Sequence, residues 1–133
     1  MIEEGGGTID QLISKKSITR LVIDSITSFS LLYQDELSKK EAGLALFELI
    51  NKWGCTAVLT SQAEARGYSL ESSSLEFEAD SIILLYHFRE QGQRMRCLEI
   101  LKMRGTKHVN KTMRVEITND GFIIYPDDII KVN

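Results

Sequence analysis

The sequence predicts an α/β fold in which a short parallel core is followed by an antiparallel hairpin extension. Three observations predict it. Leu21-Val22-Ile23 and the run Cys55 to Ser61 are short, largely apolar segments of the kind that form strands covered on both faces, as in parallel sheets. Between them, Asp35 to Trp53 switches to a helical period, which supplies the crossover that two parallel strands need. After them, four strand candidates follow closely, separated by turn sequences.

A chain of 133 residues suits one domain, 1–133, with residues 1–7 as a flexible lead. Hydrophobic residues make up 43% and charged residues 26%, which argues against a disordered chain. No apolar run approaches the roughly 18 residues of a membrane span. Met1-Ile2-Glu3-Glu4 has neither the basic region nor the apolar stretch of a signal peptide. The net charge is −3, so a basic footprint over the whole surface is absent. Cys55 and Cys97 are too few for a disulfide framework or a zinc site. Both lie in apolar runs and are expected to be buried thiols of a cytoplasmic protein.

The elements follow in order. Gly5-Gly6-Gly7 carries too much backbone entropy to hold a helix. Thr8 is placed to cap a short helix through about Lys16, with Asp10 in its first turn and Ile9, Leu12 and Ile13 on one face. Thr19 to Asp24 is the first strand. In the long helix Ala42, Leu46, Leu49, Ile50 and Trp53 share a face, Ser38 and Glu41 fit a capping box, and Gly54 stops it. Cys55 to Ser61 is the second strand. Gln62 to Ala79 is polar and reads as a long loop, a feature that in compact domains is usually functional or mobile. Asp80 to Phe88 and Gln93 to Met103 are strands joined at Gln91-Gly92. Met113 to Ile117 alternates cleanly, Asn119-Asp120-Gly121 is a hairpin turn, Phe122 to Tyr125 returns, and Pro126 closes the strand region.

Three motifs bear on chemistry. Leu21-Val22-Ile23-Asp24-Ser25 is an apolar strand ending in a carboxylate, which places Asp24 at the carboxyl edge of a parallel sheet, where ligands bind. Such an acid holds Mg²⁺ in phosphate-handling folds, and equally marks an ordinary strand end meeting solvent. Thr60-Ser61-Gln62 ends the second strand, with a side chain that either senses a phosphate or serves turn chemistry. In Glu99 to His108 (EILKMRGTKH), Lys102 and Arg104 are two apart on a strand and share a face, Gly105 permits a sharp turn, and His108 follows. Two cations and an imidazole at one tip suit a polyphosphate; a solvated basic edge that deters pairing is the alternative.

Together and in this order the motifs resemble the carboxyl half of a RecA-like ATPase of the KaiC and RadA branch. Arg20 to Thr27 (RLVIDSIT) resembles the Walker B strand, Leu46 to Gln62 the next helix and strand, and Glu78 to Tyr86 (EADSIILLY) the strand after it. Glu99 to His108 resembles the most distinctive KaiC segment, and Ile117 to Tyr125 (ITNDGFIIY) the closing hairpin. The resemblance implies an ATP and Mg²⁺ site shared between neighbouring subunits. In it Asp24 is the Mg²⁺-associated catalytic acid and Gln62 lies near the γ-phosphate sensor position. Lys102, Arg104 and His108 reach the γ-phosphate of a neighbour's nucleotide in trans.

The sequence departs from that pattern in one large respect. It contains no G-x-x-x-x-G-K-[ST], the loop that supplies the backbone cradle, the lysine and a Mg²⁺ hydroxyl. Glu3-Glu4 is a candidate relic of the family's catalytic glutamates. In this family's sheet the phosphate-loop strand lies between the Thr56–Ser61 strand and the Ile82–Tyr86 strand, so its absence leaves a gap. Three arrangements would close it: direct pairing of the flanking strands, a strand from another chain, or a larger protein of which this is one piece.

The expectation is therefore a truncated or degenerate ATPase domain that does not hydrolyse ATP alone. Its partner is a second copy in a homo-oligomer or a chain carrying the phosphate loop. The alternatives are a non-catalytic module of a RecA-like assembly and a DNA-binding recombinase relative. DNA is disfavoured: the Gln62–Ala79 loop sets Glu64, Glu71, Glu76 and Glu78 against Arg66 alone. Positive charge concentrates instead in residues 89–114, with eight Lys or Arg against two acids, and there it coincides with the trans nucleotide group.

Overall fold

The computed structural model describes residues 7–62 and 78–130. The Glu3-Glu4 pair, two of the three leading glycines and most of the Gln62–Ala79 loop lie outside the described residues. Two compact units divide the chain, 1–78 and 79–133. The first holds α1 (Thr8–Lys16), β1 (Arg20–Ile23), α2 (Ile26–Ser30), α3 (Glu36–Trp53) and β2 (Thr56–Leu59). The second holds β3 (Ser81–Glu90), β4 (Gln93–Met103), β5 (Met113–Thr118) and β6 (Gly121–Ile129).

In the first unit β1 and β2 pair in parallel, Arg20 opposite Thr56 through Ile23 opposite Leu59. The crossover is α3. Its cap differs from the sequence expectation: Asp35, not Ser38, is the N-cap, and its carboxylate accepts from the Ser38 backbone N–H at 2.9 Å. An acidic side chain one turn earlier satisfies an orphan donor, and hydrogen bonding to Ser38, first from its side chain and then from its backbone N–H, holds the Asp35 carboxyl below its ordinary range. Gly54 ends the helix as expected, in the left-handed region at φ +63°. The cap of α1 is Gly7 rather than Thr8, with no side-chain bond. Trp53 at the end of α3 donates its indole N–H to Asp10 and ties α1 down. Ile13, Ala42 and Ile50 are buried. The expectation that β1 and β2 are covered on both faces is corrected. Val22 and Val58, opposite each other in the ladder, are 68% and 57% exposed. One face of the parallel pair is open.

In the second unit the sheet order is β3-β4-β5-β6, antiparallel throughout. The Gln91-Gly92 turn has both central residues at positive φ, +47° and +80°, which matches the twist of the strands it joins. β6 runs on through Pro126 to Ile129 instead of ending there. It is an edge strand, so the missing proline N–H costs no ladder bond, and the register shifts opposite Met113/Arg114. Leu98, Met113 and Val115 form the buried core with Ile100 packed against them. Cys97 is 1% exposed, while Cys55, expected to be buried, is half-buried. On the other face Arg114 is bonded to Glu116 and Asp128 and lies 4.1 Å over the Tyr125 ring. Tyr125 donates to Glu116 at 2.9 Å, and this bond lowers the Glu116 pKa and raises that of Tyr125.

β2 and β3 belong to separate sheets. Of the three ways to close the gap, direct pairing of these strands is not found among the described residues. No helix among them is long and apolar enough to cross a membrane.

Candidate functional site

The residues singled out by sequence fall into one group in each unit. The first lies at the carboxyl ends of β1 and β2. Parallel pairing brings both strand ends to the same edge, so Asp24, which follows β1, meets Thr60, which follows β2. The Thr60 hydroxyl donates to Asp24 Oδ1. The backbone closes around the pair: the Thr60 N–H donates to the Ile23 carbonyl at 3.0 Å, and the Ile26 N–H donates to the Thr60 carbonyl at 2.9 Å. Two residues beyond Thr60, the Gln62 N–H donates to Thr27 Oγ1 at 2.9 Å. Asp24 and Gln62 are both exposed. One carboxylate oxygen is thus positioned by a hydroxyl while the carboxylate stays open to solvent. This is an arrangement that can take a hydrated cation.

Thr27 and Thr60 are the residues that sequence reasoning undervalued here. Their signal was present: one hydroxyl directly after β2 and another four residues past the end of β1, at one edge. The short helix α2, whose second residue is Thr27, was not anticipated. Five residues are too few to announce a period.

The second group lies at the far end of β4. Lys102 is half-buried and pairs with Ile82, beside a register shift between Ile82 and Ile83. Arg104 follows β4 and is held twice by Asp80: its N–H donates to the Asp80 carbonyl at 2.8 Å, and its guanidinium Nη1 lies 2.9 Å from Asp80 Oδ1. The guanidinium is 59% exposed and the carboxylate 80%, so the pair contributes about 1 kcal/mol or less. It orients the arginine at little cost to its release. Gly105, at φ +69°, turns the chain, with the Thr106 N–H on the Met103 carbonyl at 3.3 Å. His108 is half-buried, its Nδ1 3.2 Å from the Val109 carbonyl oxygen. A carbonyl only accepts, so this contact is a hydrogen bond only when Nδ1 carries a proton. Asp80 is the member of this group that no motif announced.

Among the described residues no cluster of three or more His, Cys, Asp or Glu has the geometry of a metal site. A Mg²⁺ ion is nevertheless held in many phosphate sites by one or two carboxylates plus the phosphates themselves, and Asp24 fits that role. The phosphate cradle has no counterpart in the sequence.

The parallel pair, with an acid after β1, and the antiparallel sheet that follows it make up an α/β protein of the RecA-like fold class. A family model described as "ATPase: KaiC" matches residues 2–129, and the chain belongs to that family. A UPF0273 protein of Methanocaldococcus jannaschii is 34% identical over 113 residues, 85% of this chain and 46% of that protein. The circadian clock oscillator protein KaiC of Synechococcus elongatus is 32% identical over 119 residues, 89% of this chain and 23% of that protein. Among solved structures, the crystal structure of a KaiC-like protein from Pyrococcus horikoshii matches with a TM-score of 0.75 at 31% identity. The match covers 89% of this chain and 51% of the other. The chain spans about half the length of the UPF0273 relatives it matches.

Proposed function

We propose that this chain supplies part of an ATP site whose phosphate cradle lies outside these 133 residues. Asp24 is the acid on the Mg²⁺ side of one site, and Gln62, beside it on the same edge, is placed to sense the γ-phosphate or orient a water. Lys102, Arg104 and His108 act on a neighbour's nucleotide. The observation that carries this reading is the Asp24–Thr60 pair at the carboxyl edge of a parallel ladder in a KaiC-family chain. Mg²⁺, when bound, neutralises charge on the phosphates. This chain's residues do the rest. Thr60 holds the carboxylate of Asp24 in one orientation. Lys102 brings a point charge, and Arg104 a planar fork, to an edge where phosphoryl oxygens can be met. His108 adds an imidazole that can hydrogen-bond a phosphoryl oxygen.

Without a phosphate loop most of the binding energy for a nucleotide is missing, so the isolated chain is a non-hydrolysing component. The assembly is a homo-oligomer or a complex with a chain that carries the loop, and the setting is cytoplasmic. DNA is a weaker candidate for a partner than a protein.

Calorimetry with ATP and Mg²⁺, alongside light scattering, tests the reading. The expected result is binding no tighter than roughly millimolar, about 4 kcal/mol, and no turnover by the isolated chain. A protein carrying the phosphate-loop portion of a KaiC-like domain, added in trans, is expected to raise both. Turnover by the isolated chain, free of contaminating ATPase, overturns it.

A further inference from the structure

The basic stretch 89–114 looks like one cluster in sequence, but the hairpin divides it. β4 is extended from Gln93 to Met103, so Arg94 and Arg104 stand roughly 30 Å apart at opposite ends. The nucleotide role claimed for Lys102 and Arg104 therefore does not explain the arginines near the Gln91-Gly92 turn.

Those arginines share a face. In the ladder His87 is opposite Arg96 and Arg89 is opposite Arg94, and directly opposed residues of an antiparallel pair point to the same side. Glu90 pairs with Gln93 and so lies on the other face. All four side chains are exposed, and no ion pair to any of them occurs among the described residues. Like charges directly opposite one another destabilise a sheet. Here no ion pair among the described residues offsets that cost. A cleft of about 320 Å³ opens beside Arg94 and Arg96, where the β4–β5 ladder stops after Arg96–Val115. Along β3 the same face continues into Leu85 and Ile83, 69% and 55% exposed.

We propose that this face docks an acidic, amphipathic polypeptide segment of a partner protein. Its apolar residues cover Leu85 and Ile83, and its carboxylates meet His87, Arg89, Arg94 and Arg96. Guanidinium forks match carboxylates in bidentate geometry. Nucleic acid is the poorer match, because the aromatic side chains of β3, Tyr86 and Phe88, point to the opposite face and leave no platform for stacked bases.

The test is fluorescence anisotropy of the whole chain with a labelled synthetic peptide. The peptide carries leucines at every third or fourth position and a run of glutamates at one end, about four helical turns in all. Three controls replace the glutamates by glutamine, replace the leucines by serine, or substitute a single-stranded oligothymidylate. The expected result is saturable, salt-sensitive binding of the Glu/Leu peptide about tenfold tighter than every control. An Arg89→Gln/Arg94→Gln variant and a Leu85→Ser variant are each expected to lose about tenfold. The arginine variant should melt no lower than the parent, since a like-charge pair has been removed. Equal binding of the glutamine peptide, tighter binding of the oligonucleotide, no saturable binding, or self-association abolished by the same substitutions overturns the proposal.

Discussion

The parallel pair of the first unit and the antiparallel hairpin of the second make a physical contrast. β1 and β2 are four residues each, are separated by two helices, and leave Val22 and Val58 exposed. β3 and β4 are ten and eleven residues, are joined by two, and pair over almost their full length. A parallel pair has its chemistry at one edge but needs cover on both faces. A hairpin pairs locally and presents its side chains at either end without help. The first region has two strand ends brought together to hold Asp24. The second pairs along its own length and carries cations at both ends.

Predictions that sharpen or break this contrast run from large to small. In an assembly that hydrolyses ATP, Asp24→Asn is expected to lower turnover by a hundredfold or more, roughly the loss seen when an electrostatic contact to the reacting charge is removed. Thr60→Val should lower it about tenfold, with the melting temperature of the chain little changed. An equal loss of stability would make Thr60 a structural residue only. Met113→Ala removes part of the Leu98–Met113–Val115 core and should cost about 2–4 kcal/mol in denaturant unfolding. Val22→Thr with Val58→Thr, on the open face, should stay within about 0.5 kcal/mol. A cost as large as that of Met113→Ala would show that the face is covered in solution and would erase the contrast.

Asp35→Ala deletes a helix cap and should cost about 1 kcal/mol. The pH dependence has a definite sign. Glu116 has its folded pKa lowered, first by the Tyr125 hydrogen bond and then by Arg114. Its stabilising contribution is complete above the unfolded carboxylate range and is lost as pH falls through the lower folded value. Glu116→Gln should flatten that acid limb in unfolding curves of the second unit. The smallest effect is chemical. Burial raises the Cys97 pKa, whereas Cys55 is half-buried and donates to the Ile18 carbonyl at 3.2 Å. A thiol reagent should modify Cys55 first; Cys97 reacting first would mean that the second sheet opens more readily than the first.

Much of this was legible in the residues themselves. The period of Ala42, Leu46, Ile50 and Trp53, the Gly54 stop and the Gln91-Gly92 and Asn119–Gly121 turns are local chemistry, and the elements they mark formed where expected. Caps were harder, because Asp35 and Ser38 both qualify and only the path of the chain chooses between them. The candidate site was half legible. Asp24, Gln62, Lys102, Arg104 and His108 were marked by position at strand ends. Thr60 was marked only as part of a strand-end motif, and its partnership with Asp24, like that of Asp80 with Arg104, became visible only in the fold.

The sequence by itself determined the α/β class, the order of the elements, the lack of a phosphate loop and the family. All of these reside in local pattern and motif. Tertiary structure decided which charges stand together. Strand pairing joins residues 36 apart in the chain at one edge, and an extended hairpin separates arginines only ten apart by its whole length. Proximity in a fold follows the hydrogen-bonded ladder rather than the count along the chain, and the chemistry follows proximity.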